Sequence, residues 1–237
     1  MTLLFVADHA SAMVPHDIDL GIPAAWLGEH IAVDLGTAAL TATLAADFGA
    51  QAIVAEVSRL VIDMNRPPHS AALIPPASDS RAIPGNAALS ASGRQLRLER
   101  FHAPYHAAIA AAVAADRPAL IVSVHSFTPQ LASGGAPRPW PIGILYNRDD
   151  RAARLALDWL RRDGLEPGDN QPYSGRDLNY TMNRHAEAAG IPYLGIEVRQ
   201  DLLERDAGDW AKRLTRLIAD VRAGLDCGIV RNEGEMR

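Results

Sequence analysis

Two histidines stand at the ends of apolar runs that are typical of buried strands. His9 comes just after residues 2–7, and His125 directly follows residues 119–124. Neutral imidazole is a common zinc ligand, and a catalytic zinc site combines histidines and carboxylates with one position left for water. Because sites in parallel sheets lie beyond the carboxyl ends of the strands, we expect both histidines to bind one metal ion there. The alternative interpretation of each histidine is a structural or merely polar residue.

A third metal ligand has two candidates in the segment that follows the first strand. The spacing of apolar residues predicts a helix over residues 26–48, which Gly49 would end. Asp34 and His30 are four positions apart and would share one face of that helix. Asp34 is a candidate ligand, or else a solvent-exposed helix charge. His30 either binds the metal itself or orients a metal ligand without contacting the metal.

Glu197 is the candidate general base. It stands at the end of the apolar run 193–198, and burial of that kind raises the pKa of a carboxyl group toward the range of a useful base. A structural carboxylate that pairs with Arg199 is the alternative interpretation.

The segment after the second predicted strand contains groups suited to an anionic substrate. Arg66 has a planar guanidinium that matches a carboxylate, and Asn65 can add an amide donor. Arg59 either stabilises the oxyanion of a tetrahedral intermediate or forms a surface ion pair. No Gly-x-Ser-x-Gly motif accompanies the serines near the histidines, which argues against a nucleophilic serine.

Strands alternate with helices along the chain, which predicts an α/β fold with a mostly parallel or mixed sheet and helices on both faces. We expect one domain over residues 1–237, with 226–237 as a flexible tail. Residues 66–86 form a predicted long loop. The further predicted strands are 51–57 and 142–146, and the further predicted helices are 93–115, 151–163, 179–189 and 210–224.

Composition excludes several classes of protein. Hydrophobic residues make up 48% of the chain and the formal net charge is -5, without a run of Lys or Arg, so we expect no nucleic-acid partner. The single cysteine, Cys227, excludes an internal disulfide. No apolar run is long enough for a membrane helix and the N-terminus lacks a basic signal region, so we expect a cytoplasmic protein without a membrane partner. The sequence does not indicate an oligomeric state.

Several fragments resemble two related families of zinc hydrolases. Residues 63–66, 123–126 and 196–199 are similar, in that order, to the carboxylate clamp, the second histidine ligand and the general base of the zinc carboxypeptidase superfamily. The closer resemblance is to the N-formylglutamate amidohydrolases, and it covers nearly the whole chain. It rests on Asp8-His9-Ala10-Ser11 with Pro15, His30-Ile31-Ala32 with Asp34, Ser58-Arg59 to Arg66, Asn170-Gln171-Pro172-Tyr173-Ser174, Tyr180-Thr181 to His185, and Glu197 to Leu202.

This resemblance implies a domain of the zinc exopeptidase (phosphorylase/hydrolase-like) type that hydrolyses N-formyl-L-glutamate to formate and glutamate. The carboxypeptidases take two ligands from a His-x-x-Glu motif, but Ala12 stands three positions after His9. The related zinc muramoyl-amidases take a ligand from the following helix, and that analogy favours Asp34. A polar loop over residues 165–180 is expected to close over the site. The implied metal ligands are His9, Asp34 and His125, the implied catalytic residues are Glu197 and Arg59, and the implied substrate contacts are Asn65, Arg66, Tyr173, Ser174 and Arg176.

Two other functions are compatible with the same residues. A zinc peptidase or muramoyl-amidase would need an open groove for a peptide fragment, whereas a deacylase of a small molecule needs a closed pocket. A binding protein that has kept the fold would need neither zinc nor Glu197.

Overall fold

The computed structural model describes residues 2–227 and contains one large sheet. The strands are β1 (Leu3–Ala7), β2 (Gln51–Val54), β3 (Ala77–Ser78), β4 (Arg81–Ala82), β5 (Leu120–Phe127), β6 (Ile142–Leu145), β7 (Gly168–Asp169) and β8 (Tyr193–Arg199). Six of them form the sheet in the order β2-β1-β5-β8-β6-β7, and β3 pairs only with β4 in a small hairpin. All neighbours in the sheet are parallel except β6 and β8, so the predicted mostly parallel sheet is confirmed.

Strands β1, β5 and β8, which are neighbours in the sheet, are almost entirely buried. Every residue of β1 and β5 is buried, and β8 is buried as far as Val198. Strands that are covered on both faces read as continuous hydrophobic runs rather than as alternating ones. This is why the sequence predicted them well.

Helices cover both faces of the sheet. They are α1 (Thr37–Asp47), α2 (Pro84–Ala87), α3 (Ala91–Arg97), α4 (Ala103–Asp116), α5 (Arg151–Arg162), α6 (Tyr180–His185) and α7 (Gln200–Asp226). In the sheet, β2 lies on one side of β1 and β5 lies on the other. The connection from β1 to β2 therefore crosses the sheet in one direction, and that from β2 to β5 crosses it in the opposite direction. Since crossovers are right-handed, these two connections place α1 and α4 on opposite faces. Consistent with this, α7 contacts α1 and α5, while α4 contacts α6.

The helix predicted over residues 26–48 is wrong in its first half. The chain forms a short 3₁₀ helix at Ala24–Gly28, continues through irregular turns, and becomes α-helical only at Thr37. The backbone N–H of Asp34 donates to the carbonyl of His9 at 3.0 Å, which ties this segment to the end of β1 instead of to a helical partner. Gly36 then turns the chain with a φ of 80°.

The other boundaries differ in smaller ways. The helix predicted over 93–115 is α3 and α4 joined by a π turn at Leu98–His102. His125 lies inside β5 rather than after it. Helix α7 begins at Gln200, well before the predicted start, and is interrupted at Asp206. Of the predicted tail, residues 228–237 lie outside the described part of the chain. Within residues 2–227 we find no helix with the length and apolar character needed to span a membrane.

Glycines at three positions allow the polar loop between β7 and α6 to pack closely against β6 and β7. The carbonyl oxygen of Gln171 would lie 2.2 Å from a methyl group at Gly143 and 2.3 Å from one at Gly168. The backbone of Tyr146 would lie 2.6 Å from a methyl group at Gly175. The loop that carries Tyr173 therefore rests directly on β6 and β7.

We predict that Gly143→Ala lowers the free energy of unfolding by about 1–3 kcal/mol, because the added methyl group has no space against the loop. Equilibrium urea denaturation measures the change. Gly208→Ala in α7 is the matched control, since a methyl group there meets nothing within 4 Å. The control should leave stability unchanged or slightly raised, and equal losses in both variants would contradict the explanation.

Candidate functional site

A cavity of about 280 Å³ lies beyond the carboxyl ends of β1, β5 and β8. Most ionisable groups that the sequence singled out meet in it. Its ionisable lining includes His9, His30, Asp34, Arg59, Asp63, Arg66, Asp79, His125, Tyr173 and Glu197.

His9, Asp34 and His125 form a buried cluster whose ligand atoms all lie within 4.8 Å of one another. Nδ1 of His9 lies 3.3 Å from Oδ2 of Asp34, and Nδ1 of His125 lies 2.9 Å from the same oxygen. Two imidazoles and one carboxylate, all facing inward, form a donor set that suits zinc.

Positive charge is what this shared carboxylate requires. Burial by itself would raise the pKa of Asp34, but His9, His125 and Arg59 outweigh burial and hold the pKa well below its usual range. Burial likewise opposes protonation of His125, yet Asp34 and Asp8 raise its pKa. Either protons or a metal cation can provide the charge between these groups, so the donor set fits a divalent ion.

The second nitrogen of each imidazole is held from outside the cluster. Nε2 of His9 lies 2.8 Å from Oδ1 of Asp63. Nε2 of His125 lies 3.1 Å from the hydroxyl of Ser123 and 3.4 Å from Oδ2 of Asp8. Partners of this kind fix the tautomer and orientation of metal-binding histidines, so Nδ1 is the atom left for a metal.

The sequence did not predict these orienting partners. Asp63 was assigned to the motif of a substrate clamp, and Asp8 and Ser123 had no assigned role. A local signal existed for two of them. Ser123 stands two positions before His125 on one strand, which puts both side chains on the same face of the sheet, and Asp8 directly precedes His9.

His30 lies apart from the cluster. Its Nε2 is 3.0 Å from Oδ2 of Asp79. The backbone N–H of Ala132 donates to the same oxygen, and that of Ser133 donates to Oδ1. The predicted helical face shared by His30 and Asp34 does not exist, because both residues lie in the irregular segment before α1. The structure thus places Asp34, rather than His30, between the two histidines.

Arg59 bridges two carboxylates of the site. Its guanidinium donates to Oδ1 of Asp34 at 3.1 Å and to Oδ2 of Asp63 at 3.2 Å. Burial alone would lower the pKa of Arg59, but these carboxylates raise it. Arg59 therefore stays charged, and the surface ion pair considered from the sequence is instead an ion pair at the cavity wall.

Glu197 differs from the other carboxylates. Its position on β8 is paired with that of His125 on β5, so the two side chains stand next to each other on one face of the sheet. Oε2 of Glu197 is buried and has no hydrogen-bond partner among residues 2–227. Burial raises the pKa of Glu197 to about 7. Arg199, the alternative partner considered for it, pairs with Asp201 at 2.8 Å.

The predicted substrate contacts are only partly brought together. Asn65, Arg66 and Tyr173 line the cavity, but Ser174 and Arg176 are not part of its lining, and Arg176 is exposed. Nε of Arg66 is 3.6 Å from Oδ2 of Asp63, a separation too long for a strong hydrogen bond. The guanidinium of Arg66 is therefore available to a ligand.

One wall of the cavity comes from the polar loop. The hydroxyl of Tyr173 accepts from Arg138 at 3.1 Å, and this guanidinium also lies 4.8 Å from the centre of the Tyr173 ring. Burial raises the pKa of Tyr173, so the phenol stays protonated at neutral pH. Closure of the loop over the site remains a prediction.

Comparisons with known proteins find similarity over most of the chain. The model of the N-formylglutamate amidohydrolase family matches residues 1–204. The solved structure of the gene product Atu2144 from Agrobacterium tumefaciens matches with a TM-score of 0.89 and 32% identity, over 94% of this chain and 91% of that one. An N-formylglutamate amidohydrolase from Ralstonia eutropha JMP134 matches with a TM-score of 0.67 and 19% identity, over 95% and 93% of the two chains. No curated protein shows significant sequence similarity.

We predict that Asp63→Asn weakens the binding of a divalent metal by about 10- to 100-fold, because an amide holds the His9 ring less firmly than a carboxylate. Competition with a chromophoric chelator measures the affinity. Asp149→Asn is the matched control, because Asp149 pairs with Arg151 outside the cavity lining. Equal affinities of Asp63→Asn and wild type would contradict the orienting role.

Proposed function

We propose that this chain, which belongs to the N-formylglutamate amidohydrolase family, uses zinc to remove a small N-acyl group from an amino acid by hydrolysis. The family establishes an enzyme that acts on an amide. Zinc and the amino-acid substrate are the proposed parts, and N-formyl-L-glutamate is the first substrate to test. The observation that carries the proposal is the buried cluster of His9, Asp34 and His125 beside Glu197, whose Oε2 has no hydrogen-bond partner in the described part of the chain.

The three clustered residues would hold the metal through Nδ1 of His9, Nδ1 of His125 and a carboxylate oxygen of Asp34. When bound, zinc supplies the Lewis acidity that activates water and polarises an amide carbonyl. The surrounding residues keep these donors in place: Asp63 and Asp8 hold the two imidazoles, and Arg59 holds the second oxygen of Asp34.

Glu197 would move the proton. A carboxyl group with a pKa of about 7 exists in both protonation states near neutral pH, which suits a group that must both accept and return a proton. We propose that Oε2 of Glu197 accepts the proton of the attacking water. The same oxygen then donates that proton to the nitrogen of the leaving amino acid.

Two arginines would handle the negative charges of the reaction. Arg66 lines the cavity, lies 3.6 Å from Asp63, and is our candidate for binding the α-carboxylate of the substrate, with Asn65 beside it. Binding this remote group orients the scissile amide. Arg59 is our candidate for stabilising the negative charge that develops on the acyl oxygen.

The size of the cavity favours this function over hydrolysis of a peptide. About 280 Å³ is just below the range for ligand pockets, roughly 300–1,000 Å³. The polar loop with Tyr173 and the segment around Asp79 form part of its walls. Such a cavity suits a substrate of amino-acid size.

We predict that Glu197→Gln keeps its metal and lowers kcat by about 10²- to 10⁴-fold, since the amide cannot take up the proton. His125→Ala should lose the metal. Elemental analysis and hydrolysis of N-formyl-L-glutamate measure the two properties. Glu204→Gln, a change of an exposed glutamate on α7, is the control and should match wild type. A wild-type protein that binds no metal would overturn the proposal.

We predict that Arg66→Gln raises KM for N-formyl-L-glutamate by about 10- to 100-fold, because a charge-assisted hydrogen bond to the substrate is lost. Steady-state kinetics measure the change. The α-amide of the same substrate is the control, since it lacks the carboxylate that Arg66 would bind. Wild type and variant should have similar KM values for the amide, and an equal loss with both substrates would assign Arg66 another role.

A further inference from the structure

The turn at residues 63–66 carries a residue that orients a candidate metal ligand and a candidate substrate contact. Asp63 holds the ring of His9 at 2.8 Å and accepts a hydrogen bond from Arg59. Arg66, three positions later, lines the cavity. A shift of this turn would therefore disturb a metal ligand and a substrate contact together.

Two histidines hold the backbone of this turn. Nε2 of His106 lies 3.0 Å from the carbonyl oxygen of Met64, and Nε2 of His102 lies 3.0 Å from the carbonyl oxygen of Arg66. A carbonyl oxygen only accepts, so each ring must donate its Nε2–H. Both imidazoles are almost fully buried, with exposed fractions of 2% for His102 and 1% for His106.

The two rings lie side by side because their residues are four positions apart on one helical face. The distance between the ring centres is 4.3 Å. The π turn at Leu98–His102 joins α3 to α4 at this point, and His102 is its last residue. A π turn often marks a functional site, because it shifts side chains relative to a regular helix.

A third histidine fixes the orientation of the second. Nδ1 of His106 lies 2.9 Å from Nε2 of His185. Burial lowers the pKa of His106 to about 3 and that of His185 to about 4, so both rings are neutral. Since the proton of His106 is on Nε2, its Nδ1 accepts and His185 donates. Hydrogen bonds thus run in one direction, from His185 through His106 to the carbonyl of Met64.

Helix α6 completes the support. The backbone N–H of Thr181 donates to the side-chain oxygen of Asn65 at 3.0 Å, and its hydroxyl donates to Oδ1 of Asp8 at 2.7 Å. His185 belongs to the same short helix. The turn at 63–66 is therefore held from α4 and α6 by side-chain and backbone donors.

We propose that His102 and His106 are positioning residues of the site. Through their Nε2–H groups they fix the carbonyls of Arg66 and Met64, which keeps Asp63 against His9 and presents Arg66 to the substrate. What the turn contributes to catalysis rests on the proposed function, whereas the hold on its backbone does not.

The test compares variants that remove the donor with variants that keep one. His102→Leu and His106→Leu fill the space without an N–H, while His102→Gln and His106→Gln carry an amide N–H₂ close to the position of Nε2. Ile109→Val is the matched control, because Ile109 is a fully buried residue of α4 and its substitution affects stability alone. If a leucine variant does not fold, the glutamine variants and the other leucine variant decide the test.

Three measurements separate positioning from general stability. Hydrogen exchange reports the protection of the backbone amides of Asn65 and Arg66, chelator competition reports zinc affinity, and steady-state kinetics report KM and kcat. We expect His102→Leu to raise KM for N-formyl-L-glutamate by about tenfold with zinc affinity preserved. We expect His106→Leu to weaken zinc binding by about tenfold. Both should accelerate exchange at 65 and 66 beyond their effect on global stability.

The outcomes distinguish the two proposals. Rescue by the glutamine variants, with only global stability changed in Ile109→Val, supports positioning. Leucine variants that change nothing beyond what Ile109→Val changes, or glutamine variants that behave like the leucine variants, overturn it. If wild type neither binds zinc nor hydrolyses the substrate, the proposed function fails, and hydrogen exchange at Asn65 and Arg66 still decides whether the histidines hold the turn.

Discussion

The candidate site depends on one carboxylate oxygen, Oδ2 of Asp34, which faces Nδ1 of two imidazoles. A buried carboxylate is costly unless positive charge surrounds it. Carboxylates and imidazoles alternate around it, in the order Asp63, His9, Asp34, His125 and Asp8. Arg59 donates to the remaining oxygens of Asp34 and Asp63. The alternation explains how several acidic groups can be buried together. A divalent cation between the imidazoles would serve the same electrostatic purpose.

The sheet provides the positions for this arrangement. Strands β1 and β5 are parallel neighbours, so the histidines at their carboxyl ends reach the same region. Strand β8 lies on the other side of β5 and brings Glu197 level with His125. The remaining member, Asp34, lies in an irregular segment, and its backbone N–H donates a hydrogen bond to the carbonyl of His9. Rigid strands therefore position the imidazoles and the candidate base, and a turn hydrogen-bonded to the end of β1 positions the third candidate ligand.

Glu197 is not part of this alternating series of carboxylates and imidazoles, and its pKa differs accordingly. The pKa of Asp34 and that of Asp63 are held down by adjacent cationic groups that outweigh burial. For Glu197 burial outweighs the nearby cationic groups, and the pKa rises to about 7. Carboxyl groups that line the same cavity thus divide into two that stay ionised and organise the site, and one that can exchange a proton. Separation of this kind is how a fold assigns different roles to chemically identical side chains.

The sequence by itself predicted every strand of the large sheet except the two-residue β7, and it indicated the two histidines and Glu197 as site candidates. An apolar strand and the polar residue near its end are local features of the chain. The local pattern left Asp34 and His30 as alternatives, and the tertiary structure places only Asp34 between the two imidazoles. Both lie in one irregular segment, and contacts with distant residues, His9 for one and Asp79 for the other, set their directions. The same holds for Asp63, which orients His9 across 54 positions of sequence, and for Ser174 and Arg176, which the loop leaves outside the cavity lining. Side chains in turns point where long-range packing sends them, and no local pattern records that direction.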